Sequence, residues 1–188
     1  MLNKTLSLIA GFLAMLFVGT SYFFTQKRKY LFFQATGIVF LILSYLFDGA
    51  YFAMIGLGVA LMRTLVYFGY EQKKKITPVW VAVAFSLITV FAYFIVNWWI
   101  LHAVKTIDLI CVASLVGYAL VLRIPDLNKV RYLVLLPISL SIVYNAFSGT
   151  AVFVTISYSF ELVMSVLAIF KYQIFTKRKT EVTTNETN

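Results

Sequence analysis

The sequence predicts an all-α membrane protein whose seven transmembrane helices form two parallel three-helix repeats joined by a linker helix, a 3+1+3 arrangement. Its 188 residues are 62% hydrophobic and only 12% charged, and the mean hydropathy is +0.91. A soluble domain usually has about 45–50% apolar and about 25% charged residues, so this chain lacks the charge that a water-exposed surface requires. One bilayer crossing takes about 20 apolar residues, and the length therefore allows at most about eight or nine helices.

The first half of the chain contains three predicted spans. Residues 6–24 form an apolar run that is too long for the core of a secretory signal peptide, and the cations Lys27 to Lys29 follow the run rather than lead it. Residues 31–70 form a second apolar run, about 60 Å long at helical rise, which is twice the thickness of the hydrocarbon layer. This run is therefore expected to be a helical hairpin that turns at Asp48-Gly49.

Two single spans lead from this hairpin to another one. Thr77-Pro78 has the pattern of an N-cap followed by a first helical residue, and it begins a fourth span that ends near Asn97. A fifth span covers residues 105–122. Residues 132–171 again have the length of a helical hairpin, with its turn at Ser148-Gly149.

These spans divide the chain into four parts. They are a first three-helix repeat, a linker with the fourth transmembrane helix, a second three-helix repeat and a polar cytoplasmic tail, at residues 1–70, 71–99, 100–172 and 173–188.

The distribution of cations predicts the orientation of the chain. All but three of the 16 Lys and Arg residues fall in alternate loops or after the last span, and the exceptions are Lys4, Arg63 and Lys105. Basic loops remain in the cytoplasm, which places the N-terminus outside and the C-terminus inside. The basic residues occur in short runs, so they are expected to face lipid headgroups rather than to bind nucleic acid, which needs a broad basic surface.

An offset of 100 residues superposes the two hairpins. Phe47-Asp48-Gly49-Ala50 then falls on Phe147-Ser148-Gly149-Thr150, Lys29 on Lys129 and Gly37 on Pro137. The joint match of turn, basic loop and helix breaker favours a duplicated unit, and two unrelated hairpins of equal length are the alternative. Because one helix separates the two units, they lie parallel in the membrane, related by an axis along the bilayer normal.

Short segments of the chain also carry a resemblance to a known family. They are Tyr22-Phe23-Phe24, Lys27-Arg28-Lys29, Gln34, Tyr45, Gly49-Ala50 and Ala60 to Leu65 in the first half, and Asn145 and Ser148-Gly149 in the second. Through them the chain is similar to the YgjV-type bacterial inner membrane proteins. The 3+1+3 layout resembles that of the SWEET and PQ-loop transporters, although the proline-glutamine dipeptide of the PQ-loop group is absent. The resemblance implies a bacterial inner-membrane location and a SWEET-like bundle.

Arg63 and Glu161 are the formal charges deepest in the predicted spans. A charge at the bilayer centre costs at least about 2.5–3.5 kcal/mol, so both side chains are expected to face the bundle interior. The repeat aligns Arg63 with Val163, which brings the two charges to neighbouring levels of equivalent helices. Three arrangements are open: a structural ion pair, an Arg63 that extends to the headgroups alone, or two charges that bracket a cavity for an anionic or zwitterionic solute or for proton exchange.

Neutral polar side chains in the spans can complete a substrate-binding site around these charges. They are Gln34 and Tyr45 on helix two, Tyr144 and Asn145 on helix six, and Tyr158 on helix seven. The chain has one histidine, one cysteine and no glycine-rich phosphate loop, so we expect no catalytic residue, no metal, no cofactor and no enzyme activity.

Two functions fit these observations. The first is a small-solute transporter that works by alternating access between the two three-helix bundles. The alternative is a non-transporting membrane scaffold or assembly protein, in which the polar side chains only hold the helices together. A cavity lined by Arg63, Glu161 or Asn145 would favour the transporter, and a closed seam would favour the scaffold. The expected partners are the lipid bilayer and a small polar or charged solute, and the residues leave the oligomeric state open.

Overall fold

The computed structural model describes residues 2–48, 51–95, 107–148 and 152–175. These residues are helical apart from short connections, and they contain no strand. The helices are α1 (Leu2–Ser21), α2 (Lys27–Asp48), α3 (Tyr51–Gln72), α4 (Val79–Ile95), α5 (Asp108–Leu122), α6 (Leu127–Leu133), α7 (Leu135–Ser148) and α8 (Val152–Ile169), which continues as a π-helix over Phe170–Phe175. The described residues do not include the predicted turn residues Gly49 and Gly149, the predicted start of the fifth span at Lys105 or the predicted end of the fourth span near Asn97. Of the predicted polar tail at residues 173–188, residues 173–175 belong to the π-helix, and the rest lie outside the described residues.

Helices α6 and α7 are two segments of one long helix. The backbone N–H of Val134 donates to the carbonyl of Val130 at 2.9 Å, and that of Ile138 donates to Val134 at 3.0 Å, so the helical pattern continues across the interruption. Pro137 explains the interruption because it has no N–H to donate to the carbonyl of Leu133, four residues earlier. With α6 and α7 taken together, the described residues contain seven helices.

The outer surface of the helices is apolar. Three helices are long and apolar enough to cross a membrane, namely Asn3–Ser21, Lys27–Phe47 and Leu127–Phe147, and Val79–Ile95 and Asp108–Leu122 are shorter apolar helices. Large side chains such as Trp80, Phe91 and Leu136 are more than half exposed. Since exposed apolar area costs about 25 cal/mol per Å² in water, this surface suits a hydrocarbon environment.

The helices enclose an interior. Consecutive helices pack on each other from α1 to α3 and from α5 through α7 to α8, and α4 lies against α3 and α5. The chain closes on itself because α8 also contacts α1, and α3 also contacts α5. The interior is therefore surrounded by both halves of the chain, and α4 takes no part in its wall.

A cluster of buried residues surrounds the two connections at residues 22–26 and 122–126. Tyr22, Leu31 and Val130 are completely or almost completely buried there. Residues 21–32 have the same burial pattern as residues 121–132, position by position, from buried through half-buried to exposed. The two connections thus have closely similar environments.

Two cations that were expected to face lipid headgroups are instead buried, and that expectation is wrong for them. Lys27 is 7% exposed and Arg131 is 1% exposed. The ammonium of Lys27 donates to the carbonyl of Ile124 at 2.7 Å. The guanidinium of Arg131 donates through Nε to the carbonyl of Tyr22 at 3.1 Å and through Nη2 to that of Phe24 at 2.6 Å.

The reason lies in where the helices begin and end. Helices α2 and α6 begin at Lys27 and Leu127, several residues before the predicted starts at 31 and 132, so both cations are helical residues rather than loop residues. The carbonyls that they bind follow the C-terminal ends of α1 and α5. Such carbonyls lack intrahelical donors and lie at the negative end of the helix dipole, and they therefore attract buried cations.

Candidate functional site

A cavity of about 110 Å³ lies in the interior, with walls from α1, α2, α3, α5 and α8. Both halves of the chain contribute to it. Five of the seven residues predicted for a substrate site line it, and they are Gln34, Tyr45, Arg63, Tyr158 and Glu161. The predicted site residues of α2, α3 and α8 are therefore brought together around one cavity.

The other two predicted residues, Tyr144 and Asn145, do not line this cavity. Both lie on α7, which packs against α5 and α8. The amide of Asn145 donates to the carbonyl of Ser141, one turn earlier in the same helix, at 2.7 Å. This bond lies within α7 and does not reach the cavity.

Helical periodicity explains why α2 supplies so much of the cavity wall. Tyr30, Gln34, Ile38, Leu41 and Tyr45 all line the cavity. Their spacing of three or four residues places them on one face of the helix. The same spacing places Tyr158 and Glu161 on one face of α8.

Glu161 is a buried carboxylate whose two oxygens both accept hydrogen bonds from tyrosines. The hydroxyl of Tyr22 donates to Oε1 at 2.7 Å, and the hydroxyl of Tyr118 donates to Oε2 at 3.4 Å. Tyr22 follows α1 and Tyr118 lies on α5, so three parts of the chain meet at this carboxylate. Glu161 is only 7% exposed.

Arg63 is the buried cation of the cavity wall, and it is 5% exposed. Its Nη1 donates to the carbonyl of Leu115 at 3.1 Å, and its guanidinium carbon lies 6.0 Å from the centre of the Tyr118 ring. Its buried Nε has no hydrogen-bond partner among the described residues. A buried donor without an acceptor costs about 1–3 kcal/mol, so Arg63 has one unused donor beside the cavity.

Arg63 and Glu161 face the same cavity without pairing. No hydrogen bond or ion pair joins them in the described ranges; instead Tyr118 lies between them, with its hydroxyl on Glu161 and its ring near Arg63. The described contacts therefore differ from a structural ion pair, and both side chains line the cavity. Arg63 is also too deeply buried to extend to the headgroups.

Tyr30 and Tyr118 also line the cavity, and they are not among the residues predicted from the sequence. Tyr30 had a usable signal because it precedes Gln34 by four residues and therefore shares its helix face; the two side chains lie 3.5 Å apart, from Nε2 to the hydroxyl. Tyr118 had a weaker signal, because Ser114 is the polar residue one turn before it on α5 and the residues around it are otherwise apolar or small. Its position between two charges depends on contacts with α3 and α8.

Tyr22 connects the cavity residue Glu161 with the buried cation Arg131. Its hydroxyl donates to Glu161, while its carbonyl accepts from Arg131. The guanidinium of Arg131 also lies 4.4 Å from the centre of the Tyr172 ring. The connections at 22–26 and 122–126 thus close one end of the bundle directly beside the carboxylate.

An apolar helical bundle that encloses a mostly apolar cavity with two buried charged side chains in its wall defines a helical membrane protein. Residues 5–175 match the Imp-YgjV family, which is described as a bacterial inner membrane protein, and the chain belongs to this family. The predicted YgjV-type resemblance is thereby confirmed. Comparison with curated proteins and with solved structures gives no significant match.

Proposed function

We propose that this protein is a small-solute transporter of the bacterial inner membrane, which works by alternating access between two three-helix bundles. The observation that carries the proposal is the cavity between the two halves of the chain, lined by Arg63 from one half and Glu161 from the other. The proposal includes the absence of enzyme activity, because the chain has one histidine, one cysteine and no glycine-rich phosphate loop.

The unpaired state of the two charges supports transport over a scaffold function. A buried charge without a counter-ion is expensive in a membrane protein and marks solute or ion pathways. A scaffold has no need for two such charges, since apolar side chains of similar volume are often as stabilising as a buried ion pair. Arg63 and Glu161 each lack a counter-ion among the described residues, and this arrangement is useful when a solute provides the missing partners.

The proposed two-bundle organisation is supported by the packing of the helices. Under the offset of 100 residues, α1 corresponds to α5 and α3 to α8. The contact of α1 with α8 then corresponds to the contact of α5 with α3, so the two bundles meet through equivalent helices. The matching burial of residues 21–32 and 121–132 supports the same pseudo-symmetry, as in parallel-repeat transporters.

The proposal also includes seven spans, with the N-terminus outside and the C-terminus in the cytoplasm. The closed end of the bundle at residues 22–26 and 122–126 lies next to the basic segments Lys27 to Lys29 and Lys129 to Arg131. Since basic segments remain inside, the bundle is closed toward the cytoplasm in this conformation.

Cysteine labelling tests alternating access. Cys111 is the only cysteine, so Cys111→Ala gives a background without thiols, into which Ala60→Cys and Met62→Cys are introduced separately. Ala60 lines the cavity and is 8% exposed, whereas Met62 lies on the outer face of the same helix and is 67% exposed. A membrane-impermeant thiol reagent is added to the outside or the inside of oriented vesicles.

We expect the reagent to modify residue 60 from both sides, because alternating access opens one cavity to each side in turn. Residue 62 should not react, because it faces lipid, where the thiolate does not form. If residue 60 reacts from neither side, the reagent cannot enter the cavity, and the scaffold function is correct. Reaction from one side only would exclude alternating access.

A further inference from the structure

We infer that the solute is a small zwitterion, which binds with its carboxylate on Arg63 and its ammonium group on Glu161. This inference rests on the proposed transport function and names the substrate class of the same cavity. It follows from the hydrogen-bond partners of the two charges, the composition of the cavity wall and the size of the cavity.

The partners of Glu161 leave its negative charge uncompensated. Both carboxylate oxygens accept from the neutral hydroxyls of Tyr22 and Tyr118. No described cation contacts the group, and an ammonium ion in the cavity would supply one.

The partners of Arg63 leave its positive charge uncompensated in the same way. The guanidinium contacts a backbone carbonyl of Leu115 and the ring of Tyr118, and its Nε donates to nothing in the described ranges. A guanidinium binds carboxylates in a fixed geometry with two parallel N–H donors. A solute carboxylate is thus the group that satisfies both the charge and the unused donor.

Only a solute with both charges satisfies the whole site. A single anion would pair with Arg63 but would lie in the same small cavity as the Glu161 carboxylate, which repels it. A single cation would pair with Glu161, but the guanidinium of Arg63 in the same cavity would repel it. A neutral solute would leave both charges desolvated and unpaired, which is the most costly state.

The size and the remaining wall of the cavity restrict the solute further. A cavity of about 150 Å³ holds benzene, so this smaller cavity of about 110 Å³ fits a molecule with at most about six non-hydrogen atoms. Met15, Ile38, Leu41 and Leu57 provide an apolar part of the wall. The solute is therefore an amino acid, or a similar zwitterion, with a short aliphatic frame.

Thermal stabilisation of the purified full-length protein tests this inference, since a bound solute raises the melting temperature by mass action. Three probes have the same number of non-hydrogen atoms and differ only in charge: alanine is a zwitterion, isobutyrate an anion and alaninamide a cation. Two further zwitterions, β-alanine and 4-aminobutyrate, cover larger charge separations. We expect at least one zwitterion to bind more than about tenfold more tightly than either singly charged probe.

Two variants reverse the charge preference if the assignment is correct. Glu161→Gln should weaken zwitterion binding by more than about tenfold and favour isobutyrate, while Arg63→Gln should favour alaninamide. The matched controls Glu71→Gln and Arg28→Gln change the same residue types at the end of α3 and on the exposed face of α2, and should keep the preference of the wild type. A residue with a merely structural role would lower the melting temperature without exchanging these preferences.

The outcomes separate this inference from the transport function. If the wild type binds isobutyrate as tightly as the zwitterions, the site is an anion site and the inference is wrong. If it binds alaninamide as tightly, the site is a cation site and the inference is also wrong. Binding of none of the five probes would also overturn it. None of these results affects the cysteine labelling at residue 60, which tests alternating access separately. If the variants do not fold, the preference of the wild type alone decides the question.

Discussion

Lys27 and Arg131 lie in opposite halves of the chain, and each donates to backbone carbonyls of the connection that precedes the other's helix. Lys27 binds the carbonyls of Arg123 and Ile124, and Arg131 binds those of Tyr22 and Phe24. We call these contacts the reciprocal latch. It ties the two connections together at the closed end of the bundle, and an opening of that end requires that these bonds break.

We predict that Arg131→Gln opens the closed end of the bundle. The change removes charged donors from two carbonyls, and hydrogen bonds to charged groups contribute about 1.5–3 kcal/mol each. In the Cys111→Ala, Ala60→Cys background, the rate of labelling from the latch side should rise severalfold, and the melting temperature should fall. Lys129→Gln on the exposed face of the same helix is the control. Unchanged labelling from both sides would show that the latch does not gate the cavity.

Tyr118→Phe should weaken solute binding while the fold is kept. The change removes the hydroxyl that donates to Glu161 at 3.4 Å but keeps the ring beside Arg63. Because one of two donors to a buried carboxylate is lost, we expect the dissociation constant for a bound zwitterion to rise about threefold to tenfold. Tyr132→Phe, at a side chain that is 48% exposed, should have no effect. A collapse of the melting temperature without a change in affinity would assign Tyr118 to packing alone.

Gly37→Ala should destabilise the contact between α1 and α2. A Cβ at Gly37 would lie 2.5 Å from Cγ2 of Val18 and 3.2 Å from backbone atoms of α1, so the helices would have to separate. Overpacking of this kind costs about 1–3 kcal/mol, measured as a lower melting temperature. Gly69→Ala is the matched control, since nothing lies within 4 Å of its Cβ position, and alanine should there stabilise the helix slightly. Equal effects at both positions would refute close packing at Gly37.

Reporter fusions test the proposed orientation. A reporter that is active only in the cytoplasm should be active after residue 188 and inactive before residue 1, because seven spans place the termini on opposite sides. Fusions after Lys75, in a predicted cytoplasmic segment, provide an internal reference. Activity at both termini would require an even number of spans and would contradict the parallel arrangement of the two repeats.

The sequence was sufficient for the class of protein, the number of helices and the inward position of Arg63 and Glu161. These properties depend on local composition and on the cost of a charge in hydrocarbon. Each of these two factors can be evaluated for one helix at a time, without knowledge of its neighbours. The family match agrees with the residues that carried the resemblance. The helix starts at Lys27 and Leu127 were predicted several residues too late, because basic side chains were taken as the ends of spans.

Only the tertiary structure decided which polar groups meet. Gln34 and Tyr45 line the cavity, whereas Asn145 lies on α7 outside its wall, and these amides and hydroxyls look alike in the sequence. Periodicity identifies the side chains that share a face of one helix, but not the rotation of that face relative to its neighbours. That rotation results from packing between distant segments, and it also placed Tyr118 between the two charges and Arg131 on the carbonyls of the opposite half.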